Sequence, residues 1–291
     1  MNLKVKIGDL EFNNPVMNAS GTFGMKDYED YIDFSKIGAV VTKSITRERR
    51  LGNPPPRIGE FNGGIINSVG IQNDGVEKFI KDIDKNLKGL ETKKIVSVSN
   101  TKLSDYKETI KRLETVENII DAYEINVSCP NLEAGGRAFG MSAEDTYKIT
   151  EDIRKVTDKP IFIKLTPNVS DIIPIAKACK DAGADGVVVA NTYTGMLVNL
   201  KTKRKLLGNG IGGVSGSGIK PLTLKLVYDI SRNVNIPMIT VPIKINEISK
   251  TKPIVIQISS PLFLYKYMAV AGVFSTKYRF NNNLRQKGTF I

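Results

Sequence analysis

Tyr123-Glu124-Ile125-Asn126-Val127-Ser128-Cys129-Pro130-Asn131 is a strand that runs directly into reactive side chains. Tyr123–Val127 has the short, apolar, β-branched character of a buried strand. Pro130 has no N–H to give a ladder, so the strand stops and a loop begins with a thiol at its base. The same arrangement recurs on either side along the chain. Pro15–Asn18 leads into Asn18-Ala19-Ser20-Gly21, Ala39–Lys43 ends at Lys43-Ser44, and Pro160–Leu165 carries Lys164 and Thr166. Gly186–Asn191 ends at Asn191-Thr192, and Lys94–Val98 and Ile236–Thr240 complete seven candidate strands. Amphipathic segments such as Asp105–Val116, Ala143–Val156 and Asp171–Ala182 lie between them, which is the βα rhythm of a parallel sheet. Polar groups close five of the seven strands. A doubly wound sheet gathers ligands at one switch point, whereas a closed barrel builds its site from many strand ends, so the pattern favours an α/β, (β/α)8 TIM barrel.

The 291 residues suit one such barrel, which takes roughly 250 residues. With no histidine and two cysteines, a histidine-built zinc site and a disulfide framework are both excluded. The start, Met1-Asn2-Leu3-Lys4-Val5-Lys6, is strand-like and not a signal peptide, and the longest apolar stretch, Pro261 to Phe274, is interrupted by Lys266. A soluble, cytoplasmic protein is expected, with no membrane partner. The net charge is +12, yet eight Lys or Arg against the single acid Glu247 place +7 of it after residue 240. A nucleic-acid surface needs its cations clustered on the folded body, so no nucleic-acid partner is expected.

Cys129 is the sharpest chemical candidate. A thiol becomes a proton acceptor where its surroundings favour thiolate. Asn126 and Asn131 flank it with amides suited to a planar polar ring, and Gly135-Gly136 would let the loop act as a lid. A buried structural thiol among turn-forming asparagines is the plainer alternative. Cys179, on the apolar face of a helix, belongs to the core. Lys43 and Lys164 lie inside apolar strands, where a lysine either points inward at a ligand or snorkels to solvent. Inward, such cations would stabilise negative charge on a reduced flavin ring. Asn67-Ser68-Val69-Gly70-Ile71-Gln72-Asn73, after Gly63-Gly64, reads as a loop presenting amides and backbone groups, or as a polar turn. Gly212-Gly213-Val214-Ser215-Gly216-Ser217-Gly218 precedes Ile219-Lys220-Pro221 and a helix; a glycine loop lets N–H groups approach a phosphate, but flexible linkers look the same.

Taken in order, these elements resemble the class 1 dihydroorotate dehydrogenases. The resemblance rests on Asn18–Gly21, Thr42-Lys43-Ser44, Asn67–Ile71, Asn126–Asn131, Ile163-Lys164-Leu165-Thr166-Pro167, Asn191-Thr192 and Gly212–Gly216, across residues 1 to about 239. The cysteine separates class 1 from the serine-using class 2. Gly21-Thr22-Phe23-Gly24 and Gly136-Arg137-Ala138-Phe139-Gly140 are similar to class 1B and not to the fumarate-using class 1A. The resemblance implies the catalytic FMN subunit, oxidising dihydroorotate to orotate in pyrimidine synthesis, with Cys129 taking the substrate C5 proton as hydride passes to FMN. It implies that Lys43, Asn67, Ser68, Val69, Gly70, Ile71, Asn126, Asn131, Asn191 and Thr192 hold the substrate. Ser20, Lys43, Ser44, Ser97, Asn126, Lys164, Ala190 and Gly216 would line the flavin. Ser97 stands where the family usually has asparagine. Electrons would leave to NAD through a partner subunit carrying FAD and an iron–sulfur cluster, for which this chain has too few cysteines. The implied assembly is a homodimer core within a heterotetramer. Dihydropyrimidine dehydrogenase-like chemistry shares the cysteine loop, and a pocket for the substrate carboxylate separates the two.

Residues 1–240 thus form the FMN-binding barrel, and 241–291 an atypical tail. The family's strand-seven loop carries a glycine pair where Pro242 and Ile243 stand here, and proline offers a phosphate no N–H. The tail has two glycines, Gly272 and Gly288, no aspartate, and no helix–strand–helix pattern. It reads as out-of-frame sequence from near residue 240, with a chimeric or divergent terminus as alternatives. The expectation is a barrel whose eighth βα unit is missing or replaced, with open edges on strands one and seven. Losing two phosphate loops removes hydrogen bonds of about 1.5–3 kcal/mol each. FMN binding would weaken by on the order of a hundredfold or more, in the limit leaving an inactive remnant unable to hold FMN.

Overall fold

The computed structural model describes residues 3–22, 24, 32–129, 137–240 and 254–258. Eight parallel strands close a barrel in chain order: β1 (Val16–Asn18), β2 (Ala39–Val41), β3 (Lys93–Val98), β4 (Ala122–Asn126), β5 (Ile161–Lys164), β6 (Gly186–Val189), β7 (Met238–Thr240) and β8 (Ile254–Ile258). All seven expected strands are present. Helices α1 (Val76–Leu87), α2 (Leu103–Leu113), α3 (Ala143–Arg154), α4 (Ile173–Asp181) and α5 (Lys220–Asn233) lie in the connections from β2 to β7. Pro174 and Pro221 stand in the first turns of α4 and α5, where a missing N–H costs nothing. Ser142 caps α3 by accepting from the Asp145 N–H at 3.2 Å. Among the described residues, no helix is long and apolar enough to cross a membrane.

The eighth strand corrects one expectation. β7 and β1 do not end in open edges: Ile254–Ile258 pairs in parallel with both, Ile239 opposite Val255 and Asn18 opposite Ile258. The stave is therefore replaced, not missing, and its replacement comes from within the atypical tail. Ile254-Val255-Ile256-Gln257-Ile258 is rich in β-branched residues, which suit a stave paired on both sides. The change of composition around it concealed that run.

Side chains alternate along each stave, and the alternation separates two cores. Outward residues, among them Val40, Val96, Val98, Tyr123, Ile125, Ile161, Ile163, Val187 and Val189, pack against the helices. Inward residues Met17, Ala39, Val41, Ile95, Ala122, Phe162, Val188 and Ile239 fill the barrel. An amino-terminal hairpin, Val5–Ile7 with Leu10–Phe12, plugs the lower end with Ile7, Leu10 and Phe12. The seam between β1 and β2 has a single registered pair, Met17 with Ala39. Asn18 reinforces it, its amide donating to Val41 O and its Oδ1 accepting from Val41 N–H, each at 2.8 Å.

The carboxyl end carries a second, antiparallel sheet. Segments after β2 supply Ile58–Phe61 and Gly64–Asn67, and segments after β6 supply Tyr193–Gly195 and Gly212–Ser215. Asn67 and residues 212–215, read from sequence as parts of loops, thus lie in strands whose N–H groups serve a ladder. Their glycines are explained by close backbone packing, since a Cβ at Gly212 would meet Asn67 O at 2.5 Å.

Candidate active site

Extending each inward row by one or two pleat repeats changes its chemistry. Beyond Val41 comes Lys43, beyond Ile95 come Ser97 and Ser99, beyond Ala122 come Glu124 and Asn126, and beyond Phe162 comes Lys164. The strands are parallel, so all of these face the carboxyl end of the barrel, where a barrel gathers polar groups from separate staves.

The deepest polar layer is one connected line. Ser20 Oγ lies 3.3 Å from Ser44 Oγ, and Ser44 Oγ lies 2.9 Å from Ser97 Oγ. Ser97 donates to Glu124 Oε1 at 3.0 Å, and the same oxygen stands 3.6 Å from Lys164 Nζ. Glu124 is 1% exposed and Lys164 8% exposed, so each charge needs the other to be tolerated. Lys43 is half-buried, and burial together with the neighbouring Lys164 charge pulls its ammonium below the ordinary lysine range. Its side chain lies across Gly21, whose φ of +73° demands glycine. The sequence reading named Ser20, Lys43, Ser44, Ser97 and Lys164 but not Glu124. An acid at the same inward parity as Asn126, inside an apolar strand, was the signal that could have found it.

The thiol sits one level above. Cys129 is 4% exposed, and its Sγ lies 2.9 Å from Ser99 Oγ. Ser99 Oγ also donates to Asn126 O at 3.0 Å, and Tyr106 OH donates to the same carbonyl at 2.8 Å. Burial pushes the Cys129 thiol up from its ordinary value, while Ser99 and the Arg50 charge draw it back down. Tyr106 is held far toward its neutral form, by burial first and then by Cys129. Phe139 stacks edge-on against Tyr106 at 5.7 Å and donates its N–H to Cys129 O at 3.3 Å. Ser99, Tyr106 and Arg50 belong to no motif and were not foreseen.

Asn126 Oδ1 accepts from Asn191 Nδ2 at 3.1 Å and from the Ser128 N–H at 3.1 Å. Asn191 Oδ1 in turn accepts from the Thr192 N–H at 2.8 Å. Asn168, also unforeseen, ties this group to the next loop, donating to Thr166 Oγ1 and Thr192 O and accepting from the Thr194 N–H. Ala190 is half-buried at the end of β6. Asn67 lies on the mouth sheet and donates to Gly213 O at 3.3 Å. Ser68 is held by Arg57 O and Asn53 Nδ2, Val69 O by the Asn53 N–H, and Gly70 packs on Asn53. Ile71 takes φ +53°, rare for a β-branched residue, with its carbonyl fixed by Asn73 Nδ2 at 2.8 Å. Gly216, at φ +117°, is exposed and lies against Gly63 and Gly64, so its lack of a side chain already has a packing reason. Asn131, Gly135, Gly136, Pro242 and Ile243 lie outside the described residues. Cys179 is fully buried on α4, as expected of a core thiol.

The family model for dihydroorotate dehydrogenase matches residues 2–242. The catalytic subunit of dihydroorotate dehydrogenase B (NAD(+)) from Thermoanaerobacter sp. (strain X514) is 45% identical over 240 residues, covering 82% of this chain and 79% of that protein. Its namesake from Bacteroides thetaiotaomicron is 42% identical over 238 residues, covering 81% and 78%. A crystal structure of DHODH in complex with ferulenol from Eimeria tenella superposes with a TM-score of 0.64 at 23% identity, over 84% of this chain and 73% of that one, and shares the fold. The chain belongs to the dihydroorotate dehydrogenase family, among the catalytic subunits of the B, NAD(+)-type enzyme.

Proposed function

We propose that this chain oxidises dihydroorotate to orotate at the barrel mouth, with Cys129 as the base. The observation that carries the reading is the convergence of one thiol, two lysines and a set of linked amides on the same barrel end. Cys129 would take the C5 proton, and the hydrogen-bonded Asn126–Asn191 pair, with Thr192, Asn67 and the 68–71 backbone, would hold the ring. Lys43, less buried than Lys164, suits the substrate carboxylate, which favours dihydroorotate over a carboxylate-free dihydropyrimidine. Asn131 joins this set on the family resemblance.

The residues also fit FMN at its ring end. Buried Lys164, with Ser20, Ser44, Asn126, Ala190 and Gly216 around the mouth, would hold it; bound there, it supplies the hydride acceptor. Ser97 is fully buried and already bonded to Ser44 and Glu124, so it acts on the flavin through those partners. Electrons would then pass through an iron–sulfur FAD subunit to NAD, from a homodimer core within a cytoplasmic heterotetramer. The names of the relatives, catalytic subunits of an NAD(+)-type enzyme, support such a partner.

Cys129→Ser tests the base. The rate at which dihydroorotate reduces bound flavin should fall by about 10²- to 10⁴-fold while orotate still binds. Unchanged reduction removes the thiol from the mechanism. Because burial raises this thiol, the wild-type rate should climb with pH through and beyond the ordinary thiol range.

The tail carries a second reading. Residues 241–291 are out-of-frame sequence joined to a barrel of residues 1–240, which the family match ending at 242 supports. The barrel closes around Ile254–Ile258, but Pro242 replaces a donor to the flavin phosphate. Purified chain should therefore hold far less than one flavin each, measured by absorbance. Stoichiometric flavin overturns this reading and leaves the thiol assignment untouched.

A further inference from the structure

Ser99 Oγ has one proton and two claimants, Asn126 O at 3.0 Å and Cys129 Sγ at 2.9 Å. With the thiol protonated, both are satisfied: the thiol donates to Ser99 and Ser99 donates to the carbonyl. With a thiolate, the sulfur has no proton to give and needs a donor. Turning the Ser99 hydroxyl supplies one, but would strip a buried carbonyl of its partner, which is costly. Tyr106 removes that obstacle. Its OH already donates to Asn126 O at 2.8 Å, so the carbonyl stays paired whichever way Ser99 points. Tyr106 is 1% exposed and packed edge-on against Phe139, so it holds this position rigidly.

We propose that Ser99 is a two-position donor that stabilises the Cys129 thiolate, and that Tyr106, which donates to the shared carbonyl and is itself in hydrogen-bonding contact with Ser99 and the Asn100 backbone, frees Ser99 to make that turn. This rests on Cys129 as the base and deepens it. No bond to carbon or sulfur changes in the turn; the hydroxyl proton stays on Ser99 and only its acceptor alternates. When the thiolate captures a proton from substrate, the hydroxyl swings back, and the thiol again donates to Ser99. Ser99 and Tyr106 are positioning residues, since neither needs to touch the reacting carbons. Among the described residues, the charged and titratable groups facing the sulfur are Arg50, from the segment after β2, and Tyr106, from α2. Arg50 adds a fixed positive charge that does not depend on the hydroxyl, so the two contributions separate by mutation.

The test is the thiolate midpoint of Cys129 in the full-length chain, read by ultraviolet thiolate absorbance against Cys129→Ser and by site-resolved alkylation across pH. Ser99→Ala should raise the midpoint and slow alkylation roughly tenfold at a fixed pH below it. Ser99→Thr, which keeps the hydroxyl, should restore wild-type behaviour. Tyr106→Phe should also raise the midpoint, because Ser99 is then pinned to the carbonyl. The double variant Ser99→Ala/Tyr106→Phe should match Ser99→Ala alone, a non-additivity that general loosening of the fold would not produce. An unchanged midpoint in Ser99→Ala, or additive effects in the double variant, overturns the proposal. These readouts need neither flavin nor turnover, so they stand apart from whether Cys129 is the base: turnover surviving in Cys129→Ser would defeat that reading and leave the titration intact.

Discussion

Phe162 and Lys164 follow one another on the inward row of β5, yet they belong to different kinds of matter. Phe162 lies fully buried with Met17, Val41, Ile95, Val188 and Ile239 over the amino-terminal plug. Lys164 lies against Glu124 in a line of hydroxyls that reaches Ser20. The same step occurs between Ile95 and Ser97 and between Ala122 and Glu124. One pleat repeat thus divides an apolar layer that stabilises the barrel from a layer that holds buried charge. The lower layer gains from apolar burial. The upper one carries a desolvation cost that the lower must offset.

The sharpest way to break this division is from below. Phe162→Ala should lower stability by about 3–5 kcal/mol, read from chemical denaturation, because a large side chain leaves a cavity in a closed interior. The Cys129–Ser99 contact should survive in the folded fraction, since none of the hydrogen bonds that hold it runs through Phe162. A loss under about 1 kcal/mol would mean that the lower layer is not the stabilising one.

The next effect is in the upper layer. Glu124→Gln keeps an acceptor for Ser97 but removes the negative charge facing Lys164. Stability should fall by about 1.5–3 kcal/mol, the worth of a hydrogen bond to a charged group. The glutamine amide oxygen still accepts from Ser97 and still faces the ammonium with a partial negative charge, which holds the loss below that for Phe162. A variant as stable as the wild type would show that the carboxylate is not needed to hold the lysine.

How much of this was legible in the sequence follows from the same division. The lower layer and the helix-facing core announce themselves as Val- and Ile-rich runs, and all seven strands read that way are present. Lys43, Lys164, Asn126 and Cys129 stood out because each is an unusual residue in or beside an apolar run. Glu124 escaped notice because it lies below the strand end, inside the apolar run, where only its shared parity with Asn126 marks it as inward. Ser99 and Tyr106 escaped because a hydroxyl takes its role from what it touches, and their contacts with Asn126, Cys129 and each other form only in the folded barrel. The mouth sheet pairs Asn67 with Gly213, 146 residues apart, and glycine-rich sequence gives no periodicity to predict such pairing. Ile254–Ile258 carried a strand signal, but the basic, motif-poor tail around it has no helix–strand rhythm to mark the run as a stave.

The smallest effect concerns Lys43, and its sign is set by the direction of its shift. Burial and Lys164 place its native-state pKa below the ordinary lysine value. Below that native pKa both states are protonated, and the penalty for the buried ammonium is fully present. Between the native and the ordinary value the unfolded chain binds more protons than the native one, so stability rises with pH. Above the ordinary value the penalty is gone. Lys43→Met never carries it, so the stability of wild type relative to this variant should increase on the alkaline side, measured as paired denaturation curves against pH. Curves that stay parallel would show that Lys43 is fully solvated in the native state. Orotate sharpens the point, since a carboxylate beside the ammonium favours the charged form. Saturating orotate should flatten the alkaline rise if Lys43 holds the substrate carboxylate. A rise that persists unchanged would place the carboxylate elsewhere and leave the lysine as a cost of the upper layer that substrate does not relieve.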